Sequence, residues 1–350
     1  MKTYTRTYTA LSAAALVAVL VGCSAEGGGG GDAGGDDQGD SSAQTVELRF
    51  GHLYETSHPF HTCGAEPMVE EINSGDSGLQ IEIFPAGQLG NEQEALQSAA
   101  SGDLDISLGG PGAVANWYEP WGVLDAAYVV DDWDHMRAVW ESDIGSELQG
   151  GLQAAGLMPV DMWLYGTRHL TTNGTPVTSP DDLAGMKIRA IDTPVSLANA
   201  SALGSDPVPV AFDELYIALS QGVVDGQENP IPTIDSIKLY EVQDYLNLTG
   251  HLLQATVMVV SDSTWQTLSA EQQEALTAAM ETAGEGVREC VQDIEADKIA
   301  EWEESGVWED IIEPDEIDLD AFRARSEELL PPQFEDSWGD LYSRVRELAS

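Results

Sequence analysis

Two arginines stand out as residues that could recognise a ligand. Arg168 and Arg189 each lie near the end of a predicted strand, in the segments YGTRHL and MKIRAI. A guanidinium group presents a planar fork of donors that matches a carboxylate, and this ion pair is strongest where water is largely excluded. The alternative is that both arginines bind acidic side chains of the protein surface, of which there are many. The first interpretation predicts a binding site for an organic acid.

Asn229 is a third candidate, in the polar segment DGQENP. The sequence predicts that this segment is a turn at the carboxyl end of a short strand, which is where ligands bind in open α/β sheets. An amide can both donate and accept, so Asn229 suits a hydroxyl or a second carboxylate oxygen. The alternative is a turn residue before Pro230. We expect Glu228 to hydrogen-bond nearby backbone rather than to meet an anionic ligand.

The remaining candidates are polar residues that follow predicted strands and aromatic residues near them. The polar ones are Glu92, which could hold a substrate hydroxyl, and His52, Glu55, Ser57 and His58 in the loop after the first strand. The aromatic ones are Trp117, Trp163 and Phe212, which could form an apolar wall of the site. A place in the hydrophobic core is equally open for each of these aromatic residues.

The elements that must position these residues follow an α/β pattern. Strand, helix, strand, helix and strand alternate from Val46 to about Gly110, and the alternation resumes from Ser179 to Pro230. This order predicts parallel sheets with helices on both faces. One helix is predicted from about Asp132 through SELQGGLQAAG. A long helix is predicted from residue 270 to about 305, with a capping box at Ser269, and two helices follow it.

The charge of the chain is extreme, with 14 basic and 61 acidic residues and a net charge of −47. Nucleic acid is therefore a very poor partner, because binding it needs a basic surface. The acids are spread along the chain. This favours the solvated surface of a salt-adapted protein, since the Debye length is only about 3 Å near 1 M salt. An acidic secreted protein without such adaptation is the alternative.

The N-terminus has the organisation of an export signal. Lys2 and Arg6 precede an apolar run over 11–21 that is too short for a lasting transmembrane helix. LVGC is similar to the cleavage box of bacterial lipoproteins, which implies cleavage before Cys23 and lipid attachment to it. An ordinary signal peptide containing a cysteine is the alternative. We predict a signal peptide over 1–22 and a flexible, Gly-, Asp- and Ser-rich tether over 23–45.

An enzyme is the rival class of function. The only metal-like cluster is His52, His58 and His61, with Glu55 nearby, and its spacing is a weak signal. The sequence contains no HExxH, no GxSxG, no P-loop, and no GxGxxG after a strand. We therefore expect no catalytic residue, no metal and no cofactor. A metal-dependent hydrolase and a surface lipoprotein without a transport role are kept as alternatives.

The runs KIRA and PVPVAFDELYIALSQGVVDGQENP resemble the solute-binding subunits of TRAP transporters, the tripartite ATP-independent uptake systems for carboxylates. The resemblance extends from Glu47 to about Ala300 and includes the QLG run before Glu92. It implies that Arg189, in the KIR strand, pairs with the substrate carboxylate. It also implies that Asn229 lines the site. Uronates, C4-dicarboxylates and small keto or hydroxy acids are the substrate classes it suggests, with a slight lean towards uronates and dicarboxylates.

The resemblance implies a two-lobed, hinged α/β fold of the periplasmic-binding-protein type, with strands and helices that cross between the lobes. We predict one lobe from 46–166 plus 255–295 and the other from 167–254 plus 296–350. In that fold Cys63 and Cys290 belong to one domain, so in an exported protein we predict a disulfide between them, with two buried thiols as the alternative. The expected partners are a small organic acid, a membrane permease and the lipid anchor on the outer face of the membrane.

Overall fold

The computed structural model describes residues 45–349. Nine strands in this part of the chain form one mixed sheet. They are β1 (Val46–Gly51), β2 (Leu79–Phe84), β3 (Ile106–Gly109), β4 (Leu157–Thr172), β5 (Lys187–Ala190), β6 (Asp206–Pro209), β7 (Gly226–Pro230), β8 (Tyr245–Ser261) and β9 (Asp310–Ile312). The predicted signal peptide, the lipidated Cys23 and the tether up to residue 44 lie outside the described residues.

The strand order is β2-β1-β3-β8-β4-β7-β5-β6, and β9 pairs with β8. Parallel pairs form at both ends of the sheet, where β1 joins β2 and β3, and β5 joins β6 and β7. The centre is antiparallel, because β8 runs against β3 and β4, and β4 runs against β7. The predicted parallel βα units are therefore linked into one sheet by two long central strands.

Strands β4 and β8 pair from Leu157 opposite Ser261 to Thr172 opposite Tyr245. Their register shifts between Leu164 and Gly166 and again between Arg168 and Leu170. Gly166 has a φ of 124°, a backbone conformation that strongly favours glycine. Both irregularities lie next to Arg168, near the middle of the sheet.

Helices cover both faces of the sheet. They are α1 (Glu66–Ser74), α2 (Glu92–Ser101), α3 (Pro111–Val114), α4 (Trp133–Glu141), α5 (Asp143–Ala154), α6 (Pro194–Leu203), α7 (Leu215–Ser220), α8 (Ile231–Ser236), α9 (Asp262–Trp265), α10 (Ala270–Ser305), α11 (Leu319–Gln333), α12 (Glu335–Trp338) and α13 (Leu341–Glu347). None of the described helices is both long enough and apolar enough to span a membrane.

One predicted helix is in fact two. The chain leaves helical geometry at Ser142, which ends α4 and begins α5. The hydroxyl of Ser142 accepts hydrogen bonds from the backbone N–H groups of Ile144 and Gly145, which satisfies the first turn of α5. The long helix α10 is confirmed, including the capping box between Ser269 and Gln272.

Buried apolar side chains form two clusters. The large core contains Phe50, Leu96, Val259 and Met280, and it extends along most of the sheet. The small core packs α7, α8 and the end of α10 together, and its members include Leu215, Ile231, Ile234, Trp302 and Trp308. Helix α10 contributes to both clusters, so it connects the two packed regions.

A disulfide joins Cys63 to Cys290, with the two Cα atoms 6.6 Å apart. Cys63 lies in a short π-helical segment, Phe60–Ala65, directly before α1. Cys290 lies in α10. The bond therefore ties the segment after β1 to the longest helix of the protein.

Candidate functional site

A cleft of about 910 Å³ opens at the middle of the sheet. One wall comes from residues between Leu53 and Asp125, the other from residues between Arg189 and Ile237. The floor is formed by the two central strands, with Tyr165, Arg168, Gln254 and Thr256. The predicted candidates that line it are Arg168, Arg189, Asn229, Glu92, Phe212, Glu55 and Ser57.

Arg168 is almost fully buried, and four of its five N–H donors are occupied by groups of the described residues. Its Nε and Nη2 atoms bind the carboxylate of Glu228, and Nη2 also donates to the Glu228 carbonyl oxygen over 2.6 Å. Its Nη1 atom donates to Gln254 Oε1 over 2.7 Å. The guanidinium carbon lies 5.7 Å from the centre of the Tyr165 ring, within range of a cation–π contact. The position and charge of Arg168 are therefore fixed before any ligand binds.

Glu228 is the ionic partner of Arg168. Burial alone would raise its pKa, but the charge of Arg168 and a hydrogen bond with His251 outweigh burial and lower the pKa to about 2. The His251 Nε2 atom lies 3.3 Å from Glu228 Oε2. The expectation that Glu228 hydrogen-bonds nearby backbone is wrong as to its partner, because its carboxylate binds the buried side chain of Arg168.

Arg189 lies at the end of β5 and is as deeply buried as Arg168, but its surroundings differ. Its Nε donates to the carbonyl oxygen of Val210 over 2.8 Å. Within residues 45–349 neither Nη atom has a hydrogen-bond partner and no carboxylate forms an ion pair with the group. Burial lowers the pKa of Arg189 to about 10, so the side chain stays cationic at neutral pH. The cleft therefore contains a buried positive charge with two free donor groups.

Two acidic side chains face this region from the opposite wall. Glu92, at the start of α2, accepts a hydrogen bond from the Gly110 N–H over 3.1 Å, and burial raises its pKa. Asp125 accepts from the Gly112 N–H and from Gln254 Nε2, and burial raises its pKa to about 6. The Gln254 amide thus connects Asp125 to Arg168.

Asn229 is buried and lines the cleft. It lies in β7, opposite His169 of β4, so the prediction that DGQENP forms a turn is wrong. The segment is polar, but it is a strand because it pairs with β4 and with β5. The Tyr165 hydroxyl donates to Asn229 Oδ1 over 3.3 Å, and the Asn229 amide donates to Gln227.

The aromatic candidates separate into one residue of the cleft and two of the core. Phe212 is half-buried, lines the cleft and packs against the small core. Trp163 is fully buried, and its Nε1 atom donates to the Met280 carbonyl oxygen of α10 over 2.9 Å. Trp117 packs against the large core. Trp163 therefore belongs to the packing against α10, whereas Arg168, on the same strand, lines the cleft.

The histidines after β1 lie behind the cleft. His52 Nε2 is 3.2 Å from His61 Nδ1, and His58 Nε2 is 3.1 Å from Thr233 Oγ1. Burial, and then the nearby His61, lower the pKa of His52 to about 3. Across the described residues no group of three or more His, Cys, Asp or Glu side chains could hold a metal ion.

The sequence did not single out Asp125, Tyr165, Gln254 or His251. Asp125 ends a 3₁₀ segment, Glu119–Asp125, in a region that reads as a loop. Gln254 lies in the largely apolar run HLLQATVMVV, and a buried polar residue in such a strand is a usable signal of function. Which of these side chains come together in the structure depends on how β4, β7 and β8 pair.

The structure is a mixed α/β sheet with two central crossing strands and a buried polar cleft at its middle. This is the architecture of two-lobed, hinged solute-binding proteins of the periplasmic-binding-protein type. Residues 50–337 match the family described as "Bacterial extracellular solute-binding protein, family 7". The chain belongs to this family. The predicted two-lobed fold and the predicted resemblance to TRAP solute-binding proteins are thereby confirmed.

Individual relatives agree with this assignment. The sialic acid-binding periplasmic protein of Vibrio cholerae is 34% identical over 240 residues, which cover 68% of this chain and 74% of that protein. A TRAP periplasmic solute-binding protein of Roseobacter denitrificans, solved with L-galactonate, is 30% identical with a TM-score of 0.79, covering 88% of this chain and 99% of that one. One from Polaromonas, solved with D-erythronate, is 29% identical with a TM-score of 0.80, covering 87% and 99%.

Proposed function

We propose that this protein captures a small organic acid outside the cytoplasm and delivers it to a TRAP-type permease. The observation that carries the proposal is Arg189, a buried cation in the cleft without an acidic partner in the described chain. A ligand carboxylate would supply the missing negative charge and accept from the two free Nη groups. Such a protein acts by binding alone, and no bond of the ligand is broken.

The charges of the cleft favour a monocarboxylate with hydroxyl groups over a dicarboxylate. The charge of Arg168 is already compensated by Glu228, so Arg189 is the cation left for the ligand. Glu92 and Asp125 would oppose a second carboxylate but would accept hydrogen bonds from hydroxyls. The relatives solved with L-galactonate and D-erythronate bind ligands of this type, which supports sugar acids as the first class to test.

Hinge closure is the proposed mechanism of capture. The two walls of the cleft are connected through β4, β8 and α10, and a ligand that contacts both walls gains its full binding energy only when they are closed. Ligand binding therefore shifts the population towards the closed state. Glu92 would act from the first wall, and Arg189, Asn229 and Phe212 from the second, with Arg168 assisting from the floor.

The anchoring and the domain limits belong to the same proposal. Attachment through a lipid on Cys23 would hold the binding domain at the outer face of the membrane, on the tether over 23–45. The lobes would comprise 46–166 plus 255–295 and 167–254 plus 296–350. A permease that recognises the closed form would then meet a protein that is already concentrated at the membrane.

A thermal-shift screen of residues 44–350 in high salt would test the proposal. The panel contains sugar acids, dicarboxylates, keto acids, neutral sugars, peptides and metal ions. We expect an acid to raise the melting temperature, because a ligand that binds only the folded state stabilises it. The shift should vanish in Arg189→Ala and persist in Arg288→Ala, which removes a surface arginine paired with Glu285 on α10. A shift with neutral sugars, peptides or metals alone would overturn the proposal.

A further inference from the structure

A continuous series of buried hydrogen bonds begins behind the cleft at His58. The Phe60 backbone N–H donates to His58 Nδ1 over 3.2 Å. Burial, and then the neighbouring His52, lower the pKa of His58 to about 3, so the ring is neutral. A neutral ring that accepts at Nδ1 must carry its proton on Nε2. That proton points towards Thr233 Oγ1, 3.1 Å away.

The series continues through two hydroxyl groups in one direction. The Thr233 hydroxyl accepts from His58 and donates to the Tyr165 hydroxyl over 2.8 Å. The Tyr165 hydroxyl in turn donates to Asn229 Oδ1 over 3.3 Å. Each hydroxyl has a single proton, so the donor direction set at His58 is transmitted to the oxygen of Asn229.

Beyond Asn229 the direction of donation is unchanged. The Asn229 amide donates to Gln227 Oε1, and Gln227 Nε2 donates to the Thr171 hydroxyl over 3.0 Å. The Thr171 hydroxyl donates to Gln243 Oε1 over 2.9 Å, and Gln243 Nε2 donates to the Val242 carbonyl oxygen over 3.0 Å. The series therefore ends on backbone groups at both ends, and backbone groups cannot reverse their roles.

This arrangement permits one orientation of the Asn229 amide. A flipped amide would place its oxygen against Gln227 Oε1 and its NH₂ group against the proton of the Tyr165 hydroxyl. Two buried oxygens would then face each other with no proton between them, and two donors would face each other. Each of these contacts would cost the hydrogen bond that it replaces. In the observed orientation the second N–H of Asn229 is the donor that remains for the cleft.

We propose that Tyr165, Thr233 and His58 are positioning residues that hold Asn229 as an N–H donor towards the ligand. The position next to Asn229 then takes an acceptor, such as a carboxylate oxygen, and disfavours an ammonium group. This inference rests on the proposed function only in naming an acid as the ligand. The orientation of the amide is a property of the free protein and can be measured without any ligand.

The first test is nuclear magnetic resonance of ¹⁵N-labelled protein without ligand. The side-chain amide signals of Asn229 are identified by their loss in Asn229→Asp. Tyr165→Phe keeps the ring against Tyr54, Phe60 and Arg168 and removes only the hydroxyl. We expect the Asn229 amide protons to shift and to exchange with solvent about 10-fold faster, as for the loss of one buried hydrogen bond. Unchanged signals in Tyr165→Phe would overturn the proposal.

Tyr342→Phe is the matched control for that test. The Tyr342 hydroxyl has no hydrogen-bond partner among the described residues, so its removal leaves the series intact. We expect the Asn229 signals of this variant to match those of the parent protein. Equal changes in both variants would show a general effect of losing a tyrosine hydroxyl and would also overturn the proposal.

The second test separates positioning from direct contact, because Tyr165 itself lines the cleft. Titrations with L-galactonate and D-erythronate should show affinity about 3- to 10-fold weaker in Tyr165→Phe, the equivalent of one hydrogen bond. In an Asn229→Ala background the same change should have no further effect. A full additional loss in that background would mean that Tyr165 contacts the ligand directly. If neither acid binds, that result counts against the proposed function, and the resonance test alone decides on the positioning role.

Discussion

The two arginines of the cleft are equally buried but have opposite electrostatic surroundings. Arg168 binds the carboxylate of Glu228 and the Gln254 side chain, and burial, which lowers its pKa, is outweighed by Glu228, which raises it. Among the described residues Arg189 has one hydrogen bond, to the Val210 carbonyl oxygen, and burial lowers its pKa. The same residue type therefore has two roles within one site.

Arg168 thus forms a structural ion pair with Glu228, whereas the surroundings of Arg189 suit the binding of an anion. A buried ion pair is weak evidence for stability, but breaking it by removing one partner is costly. A buried cation without a partner destabilises the free protein and is compensated when an anion arrives. We therefore expect changes at Arg168 to act on folding and changes at Arg189 to act on binding.

The largest effect is expected from Arg168→Met. The substitution leaves the buried carboxylate of Glu228 without its cation, which should lower the free energy of unfolding by about 3–5 kcal/mol. Denaturant titration of the ligand-free protein would measure the loss. Adding Glu228→Gln to the same chain should recover part of it, because the unpaired charge is removed. An Arg168→Met protein as stable as the parent would contradict the assignment of a structural ion pair.

Arg189→Met should show the reverse behaviour. Removing the cation of a buried charge pair with a ligand should weaken binding by about 2–5 kcal/mol. The ligand-free protein should be as stable as the parent or more stable, since a buried charge is replaced by an apolar side chain. Calorimetric titration with an acid identified by the thermal screen, together with unfolding of the free protein, measures both quantities. A stability loss as large as that of Arg168→Met would remove the distinction between the two arginines.

Glu295 allows a pH test of the strand that carries Arg168. Its Oε1 atom accepts from the Thr167 N–H over 2.7 Å, and burial raises its pKa to about 7 from 4.5. A raised carboxyl pKa means that the folded state holds the proton of Glu295 more tightly than the unfolded state does. The stability that the protonated carboxyl contributes is therefore complete below pH 4.5 and is lost as the pH rises through about 7.

Glu295→Gln keeps an acceptor for Thr167 and removes the charge. We expect equal stability of variant and parent near pH 4, and a variant more stable by about 1–3 kcal/mol at pH 8. Unfolding at both pH values measures the difference. The control is Glu304→Gln, which neutralises an exposed acid on the same helix and should show no such pH-dependent gain. A constant difference across pH would contradict the raised pKa.

The smallest effect is expected from salt. Salt screens interactions with the many exposed acids but hardly screens a buried contact between Arg189 and a carboxylate. We expect the affinity for an acid to hold or rise as salt increases from dilute buffer to about 1 M, where the Debye length is about 3 Å. A steep loss of affinity with salt would indicate that the ligand is held by exposed charges instead.

Local patterns predict much of the fold, and one motif points to Arg189, the residue that we propose binds the ligand. The strands and helices from Val46 to Gly109 follow from hydrophobic periodicity and capping, which are local signals. Arg189 was identified because the KIR run resembles a family of binding proteins. The polar composition of Gly226–Pro230 predicts a turn, whereas burial between β4 and β5 makes this segment a strand.

The surroundings of the arginines were not predictable in the same way. Glu228 meets Arg168 because Leu170 of β4 pairs with Glu228 of β7, and Gln254 arrives from β8. Which carboxylate compensates which arginine thus depends on the register of strands that are far apart in sequence. A single sequence contains no local signal of that register, so the contrast between Arg168 and Arg189 needed the structure.

The pairing of β8 also has a consequence for how the chain folds. Ile106 of β3 pairs with Val260, and Leu157 of β4 pairs with Ser261, so the first half of the sheet stays incomplete until β8 has been synthesised. Contacts between residues so distant in sequence make folding slow, because the intervening chain must be ordered before the contacts form. This order of strands therefore predicts slow folding of the sheet. Its disulfide would then form late, since Cys290 follows β8.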